Sequence, residues 1–111
     1  MASREERIGL NEAVFREVNE RIEALARGFA LTSQPLDLVC ECGDASCVQR
    51  ITMSHAAYEQ LRSHPRRFAV YPGHEATDVE VIVDRHEGYH IVEKETGAPE
   101  RIAERTDPRA G

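Results

Sequence analysis

The chain has 111 residues and a formal net charge of −6, with 20 acidic side chains against 14 Lys and Arg. That length predicts one domain, and the acidic balance disfavours phosphate backbones and so general DNA or RNA binding. Hydrophobic residues make up 41%, with no Trp, three Phe and three Tyr, a lean supply for one core that a staple such as a metal would strengthen.

The opening stretch MASREERIGL lacks a signal-peptide layout, and no apolar run is long enough to span a bilayer. Three cysteines are an odd number. The expectation is therefore a cytoplasmic protein with free or metal-bound thiols and no disulfide framework.

Residues 3–27 read as one long helix. Ser3 and Glu6 form a capping box, and Gly28 stands where a helix would end in a left-handed residue. Ile8, Phe15, Val18, Ile22, Leu25 and Phe29 make one stripe at spacings of three and four, with Asn11 on the same seam. Such a stripe either lies on a sheet or closes a homodimer through this helix, since one polar Asn in a heptad seam specifies register.

After a linker, residues 36–40 alternate as a short strand and residues 48–53 as a returning one. Ser54 caps a short helix running to about Ser63, with Ala57, Tyr58 and Leu61 facing inward, and Pro65 closes it. Residues 67–71 form a further strand stopped by Pro72-Gly73. A hairpin follows over 79–93, with Gly88 in its turn. Residues 95–111 are polar and read as a flexible tail. The fold class is α+β: one long and one short helix on a small, mostly antiparallel sheet of about five short strands, residues 1–94 forming the domain.

All three cysteines fall in Cys40-Glu41-Cys42-Gly43-Asp44-Ala45-Ser46-Cys47. In an extended chain Cys40 and Cys42 project together while Glu41 faces away. Gly43-Asp44 lets the chain reverse and brings Cys47 back. Three sulfurs then converge, as thiolate-bound zinc requires. A structural site takes a fourth ligand. His74, on a loop just past Pro72-Gly73, is the first candidate. His55 is the alternative, with a water or an acidic residue behind them. His64, His86 and His90 read as surface residues.

Glu41 and Asp44 beside the thiols disfavour thiolate, and so redox chemistry, unless a cation supplies positive charge. Arg62, Arg66 and Arg67 beside Phe68 are the one patch that could meet phosphate, RNA or an acidic partner. No phosphate loop, serine triad or dinucleotide fingerprint is present.

Three runs, Asn11-Glu12-x-x-Phe15-Arg16-x-Val18-Asn19-Glu20, Cys40-Glu41-Cys42-Gly43-Asp44-x-x-Cys47 and Pro72-Gly73-His74-Glu75, together resemble a family of small uncharacterised bacterial proteins. The likeness covers nearly the whole chain except its last ten or so residues. It implies Cys40, Cys42, Cys47 and His74 as one site, and that the helix's polar face meets something. It carries no activity. The functional expectation is a small cytoplasmic zinc-binding protein with a structural metal, acting as a binding or regulatory module on a protein partner. The alternative is a metal- or thiol-dependent enzyme or redox sensor using the same cysteines.

Overall fold

The computed structural model describes residues 3–109. Helix α1 (Arg4–Gly28) starts at Ser3, whose hydroxyl accepts from the Glu6 amide. Strands β1 (Leu36–Val39) and β2 (Arg50–Met53) pair antiparallel across the cysteine-bearing loop. Helix α2 (His55–Arg62) is capped by the Ser54 hydroxyl, which accepts from the Ala57 amide. Strands β3 (Arg67–Val70), β4 (Glu80–His86) and β5 (Tyr89–Lys94) form a second antiparallel sheet in the order β3-β5-β4. The last element is α3 (Ala98–Arg105).

The fold is thus α+β as the sequence reads, with the five strands divided between two sheets. Glycines at positive φ sit where turns demand them, Gly73 after β3 and Gly88 in the β4–β5 hairpin, since a Cβ is strained there. Among the described residues no helix is long and apolar enough to cross a membrane.

Two apolar clusters form the core. Leu36, Leu38, Ile51, Met53, Tyr58 and Leu61 anchor one around β1, β2 and α2. Cys40, Cys42, Phe68, Val70, Val92 and Ala103 form the other. The cysteine site is therefore part of the second core cluster.

Three expectations need correction. The first concerns α1. Its buried residues are Ile8, Gly9, Glu12, Arg16, Asn19 and Glu23, whereas Val18, Leu25 and Phe29 of the expected stripe are exposed. Polar side chains face inward because each finds a partner there. Asn19 donates to the Val39 carbonyl and accepts from its amide, both at 2.9 Å. Arg16 donates to the Pro65 and Ala103 carbonyls and lies 4.7 Å above the Phe68 ring. Lys94 Nζ donates to Glu12 at 2.7 Å and to Glu80 at 3.0 Å, all three being almost inaccessible. The helix also ends differently: Ala30, at φ 58°, takes the left-handed turn expected of Gly28.

The second correction is the tail. Over 98–105 the chain is α3, not a flexible polar stretch; residues 110 and 111 of that stretch, like residues 1 and 2 of the expected domain, lie outside the described residues. Ile102 packs so tightly on α1 that a Cβ on Gly9 would lie 2.7 Å from its Cγ2. Arg16 binds the Ala103 carbonyl, and Arg66 pairs with Glu100 at 2.7 Å. Beyond the helix, Arg109 reaches Glu20 and Glu59.

The third is the arginine patch. Arg62 is buried against Glu41, Arg66 holds Glu100 and Arg67 holds Glu93 at 2.9 Å, while Phe68 is core. These guanidinium groups brace the fold and do not form a free cationic surface.

The Glu12–Lys94–Glu80 cluster has a pH signature. Burial, then the neighbouring Glu80 charge, raise the Glu12 carboxyl well above its ordinary value despite Lys94. Its Oε2 is buried without a hydrogen-bond partner among the described residues. The groups facing it are Glu80 from β4, Lys94 from β5 and Arg16 from its own helix. A carboxyl whose pKa is raised on folding stabilises the protein fully below its unfolded pKa, and that stability is lost as pH rises through the folded pKa. Glu12→Gln mimics the protonated form. As pH rises above the ordinary carboxylate range, the urea midpoint of the wild type should fall relative to that of Glu12→Gln. Parallel curves would show that Glu12 does not titrate there.

Candidate metal centre

The site is assembled from two stretches of chain. Residues 40–47 form a knuckle between β1 and β2, and His74 stands four residues past the end of β3. Ligand atoms of Cys40, Cys42, Cys47 and His74 all lie within 4.8 Å of one another. His74 Nδ1 is 3.7 Å from the Cys40 sulfur and 3.5 Å from the Cys47 sulfur. A tetrahedral ion with sulfurs near 2.3 Å and nitrogen near 2.0 Å sets S···N at about 3.5 Å and S···S at about 3.8 Å. The four side chains fit one small cation.

Local structure makes this convergence inevitable. The Cys40 amide continues the β1–β2 ladder by donating to the Gln49 carbonyl at 3.0 Å, and the Cys47 amide donates to the Asp44 carbonyl, closing the knuckle. The Asp44 carboxylate accepts from the Ser46 amide and hydroxyl at 2.9 and 2.7 Å. Those bonds from Ser46 hold its carboxyl below the ordinary range. Asn11 of α1 donates to the Gly43 carbonyl at 2.9 Å. Gly43 has no alternative, because a Cβ there would lie 2.6 Å from Ile8.

The second stretch is held as firmly. The Tyr71 amide donates to the Cys40 sulfur at 3.1 Å, which favours thiolate on that sulfur. The His74 amide donates to the Tyr71 carbonyl, and the two rings meet edge-on at 5.3 Å. Glu75 ties down the turn by accepting from the Gly73 amide at 2.7 Å and contacting His90 Nδ1 at 3.2 Å. Burial alone would raise the Glu75 carboxyl, but hydrogen bonds from the loop backbone and His90 outweigh it and hold it low. His90 is thus half-buried and employed, not a surface residue, whereas exposed His86 pairs with Asp84 and stacks on Tyr89.

Crowding splits the thiols. A hydrogen bond with Cys42, then burial, pushes the Cys40 thiol up, while the bond from Cys40 pulls Cys42 down to about 5. Burial raises Cys47. The three sulfurs share protons as a unit, and a cation that displaced those protons would relieve the competition.

Glu41 faces away from the sulfurs, as alternation requires, but into the interior. Its carboxylate accepts from both terminal nitrogens of Arg62 at 2.9 and 2.7 Å, from Asn19 at 2.8 Å and from the Ala69 amide at 3.0 Å. The expectation that Glu41 disfavours thiolate therefore fails, because its charge is spent on Arg62. His55 is not part of the cluster that His74 joins; its Nδ1 is 3.9 Å from Glu23.

The supporting residues, Tyr71, Glu75, His90 and Asn11, escape a reading of the cysteines alone. For Asn11 and Glu75 a signal existed, because they belong to the runs that carry the family resemblance. An open cleft of about 380 Å³ adjoins the cluster, lined by Arg4, Ile8, Cys42, Asp44, His74 and Glu75 among others.

No protein-family model, curated protein or solved structure matches the chain.

Proposed function

We propose that this is a small cytoplasmic zinc-binding protein whose metal is structural, bound by Cys40, Cys42, Cys47 and His74, and which acts as a binding or regulatory module for a protein partner. The observation that carries the reading is the gathering of three sulfurs and one imidazole nitrogen within 4.8 Å of one another, two of the sulfurs 3.5 and 3.7 Å from that nitrogen. Thiolates select soft or borderline ions, and three with one imidazole match structural zinc. Four protein donors close the coordination shell, which leaves no position for substrate. The ligands also join the knuckle of the β1–β2 sheet to the segment that follows β3, so the ion's chemistry there would be to clamp two sheets together.

Elemental analysis of the purified protein tests this. The expected result is about one zinc per chain, lost in Cys→Ser variants at 40 and 42 and in His74→Ala, and retained in His55→Ala. Zinc kept by His74→Ala and lost by His55→Ala, or no metal in any preparation, would overturn it.

The cleft beside Cys42 and His74 supports a second reading, a metal- or thiol-dependent enzyme or redox sensor. Brief alkylation of the zinc-loaded protein separates the two. A structural site leaves all three cysteines unlabelled, whereas rapid labelling of Cys42 with the metal retained favours the second.

A further inference from the structure

The helix that turns its polar residues inward turns its apolar residues outward. Leu10, Val14, Val18 and Leu25 of α1, continued by Phe29, are between 38 and 74% exposed. At 100° per residue these positions fall within about 100° of arc, and from Leu10 to Phe29 the stripe runs about 28 Å. Their centre lies on another side of the helix from Glu12, Arg16, Asn19 and Glu23. A contiguous apolar strip on an acidic protein marks an interaction surface. Along it an open groove of about 460 Å³ is lined by Leu10, Ala13, Val14, Glu17, Val18 and Arg21.

This is not the seam that the sequence suggests. Ile8 is buried, Asn11 is committed to the Gly43 carbonyl, and Phe15 and Ile22 are half-covered by the protein itself. The free stripe keeps Val18, Leu25 and Phe29 of that seam and replaces its covered members with Leu10 and Val14, one step round the helix.

We propose that the stripe is covered by a second copy of this chain, with the two α1 helices antiparallel. The pattern is self-complementary in one register. When paired positions sum to 39, Leu10 of one copy faces Phe29 of the other, Val14 faces Leu25 and Val18 faces Arg21, and the same contacts recur about the two-fold axis. Charge selects this direction. Arg21 falls inside the apolar arc, between Leu10 and Val14 in angle, and its bond to Glu17 of its own helix is long, 3.8 Å, with both side chains more than half exposed. A parallel pair in register would set Arg21 against Arg21. The antiparallel pair instead lays the Arg21 stem on Val18 and brings its guanidinium beside Glu17 of the other copy, the arrangement that a coiled coil uses to fix orientation. None of the stripe residues belongs to the cysteine cluster, so the proposal does not rest on the metal.

Sedimentation equilibrium of the purified full chain, metal retained, tests it. The wild type should be dimeric at tens of micromolar, a regime in which an interface of modest size associates. Arg21→Glu and Glu17→Arg should each weaken the dimer at least about tenfold, by setting like charges together, and Val14→Asp should abolish it. The double variant Glu17→Arg/Arg21→Glu should restore association. Positions 14, 17 and 21 are half-exposed or more in the single copy, so unchanged far-UV dichroism is expected throughout. A monomeric wild type would overturn the proposal and assign the stripe to another partner. Failure of the double variant to recover would overturn the antiparallel register.

Discussion

Stripping the metal from the Cys40, Cys42, Cys47 and His74 cluster with a strong chelator is expected to unfold the chain. Structural zinc in small domains supplies about 10–16 kcal/mol of apparent binding energy, while an ordinary domain has a net stability of about 5–15 kcal/mol. Here the apolar core is split into two small clusters, and two of the cysteines belong to one of them. Without the ion, buried thiols and an imidazole are left crowded together with no cation to share. Far-UV dichroism should collapse on chelation and return when zinc is restored. Cys40→Ser and Cys42→Ser should behave like the chelated protein. Cys47→Ser should cost less, because Cys47 is only half-buried and water can reach its position. A chelated protein that keeps its dichroism and its urea midpoint would remove the structural role from the metal.

The second large effect is expected at Arg62. Arg62 and Glu41 are both buried and bound through two hydrogen bonds. Burial alone would lower the Arg62 pKa, but the Glu41 charge and its hydrogen bonds outweigh it. Arg62→Ala strands the Glu41 carboxylate with Asn19 and the Ala69 amide as its remaining donors, and breaking a buried pair in this way costs about 3–5 kcal/mol. The damage should spread to the metal, because Glu41 lies between two of the cysteines and pins the knuckle to β3. Replacing both partners, as in Glu41→Leu/Arg62→Met, removes the stranded charge and should cost less than Arg62→Ala alone. Urea denaturation of the three proteins measures this. A loss below about 1 kcal/mol for Arg62→Ala would place the pair among those that add nothing.

Much of the architecture was legible because local rules suffice for it. Ser3 and Ser54 cap their helices as their spacing predicts, Gly73 and Gly88 occupy the turns, and β1, β2, β3 and the β4–β5 hairpin arise from the alternating runs. The inward face of α1 was not legible. Apolar periodicity assumes that the apolar side turns in, but here Lys94, Glu41 and the knuckle backbone, all remote in sequence, provide the partners that draw Glu12, Asn19 and Asn11 inward. Helix α3 escaped for a related reason. Its stretch is polar apart from a few side chains, and the surface receiving Ile102 exists only because Gly9 leaves room for it. The cluster itself was readable from three thiols in eight residues and a histidine just past a Pro-Gly turn. Its supports were not, since the Tyr71 amide and the Glu75–His90 contact depend on backbone placement rather than residue type.

The central claim is that three sulfurs and one imidazole nitrogen hold a single ion. X-ray absorption at the zinc edge of the purified protein tests it most directly. The account predicts a first shell of about three sulfurs near 2.3 Å and one nitrogen near 2.0–2.1 Å, unchanged in His55→Ala. A shell of light atoms only, or one with a single sulfur, would contradict it.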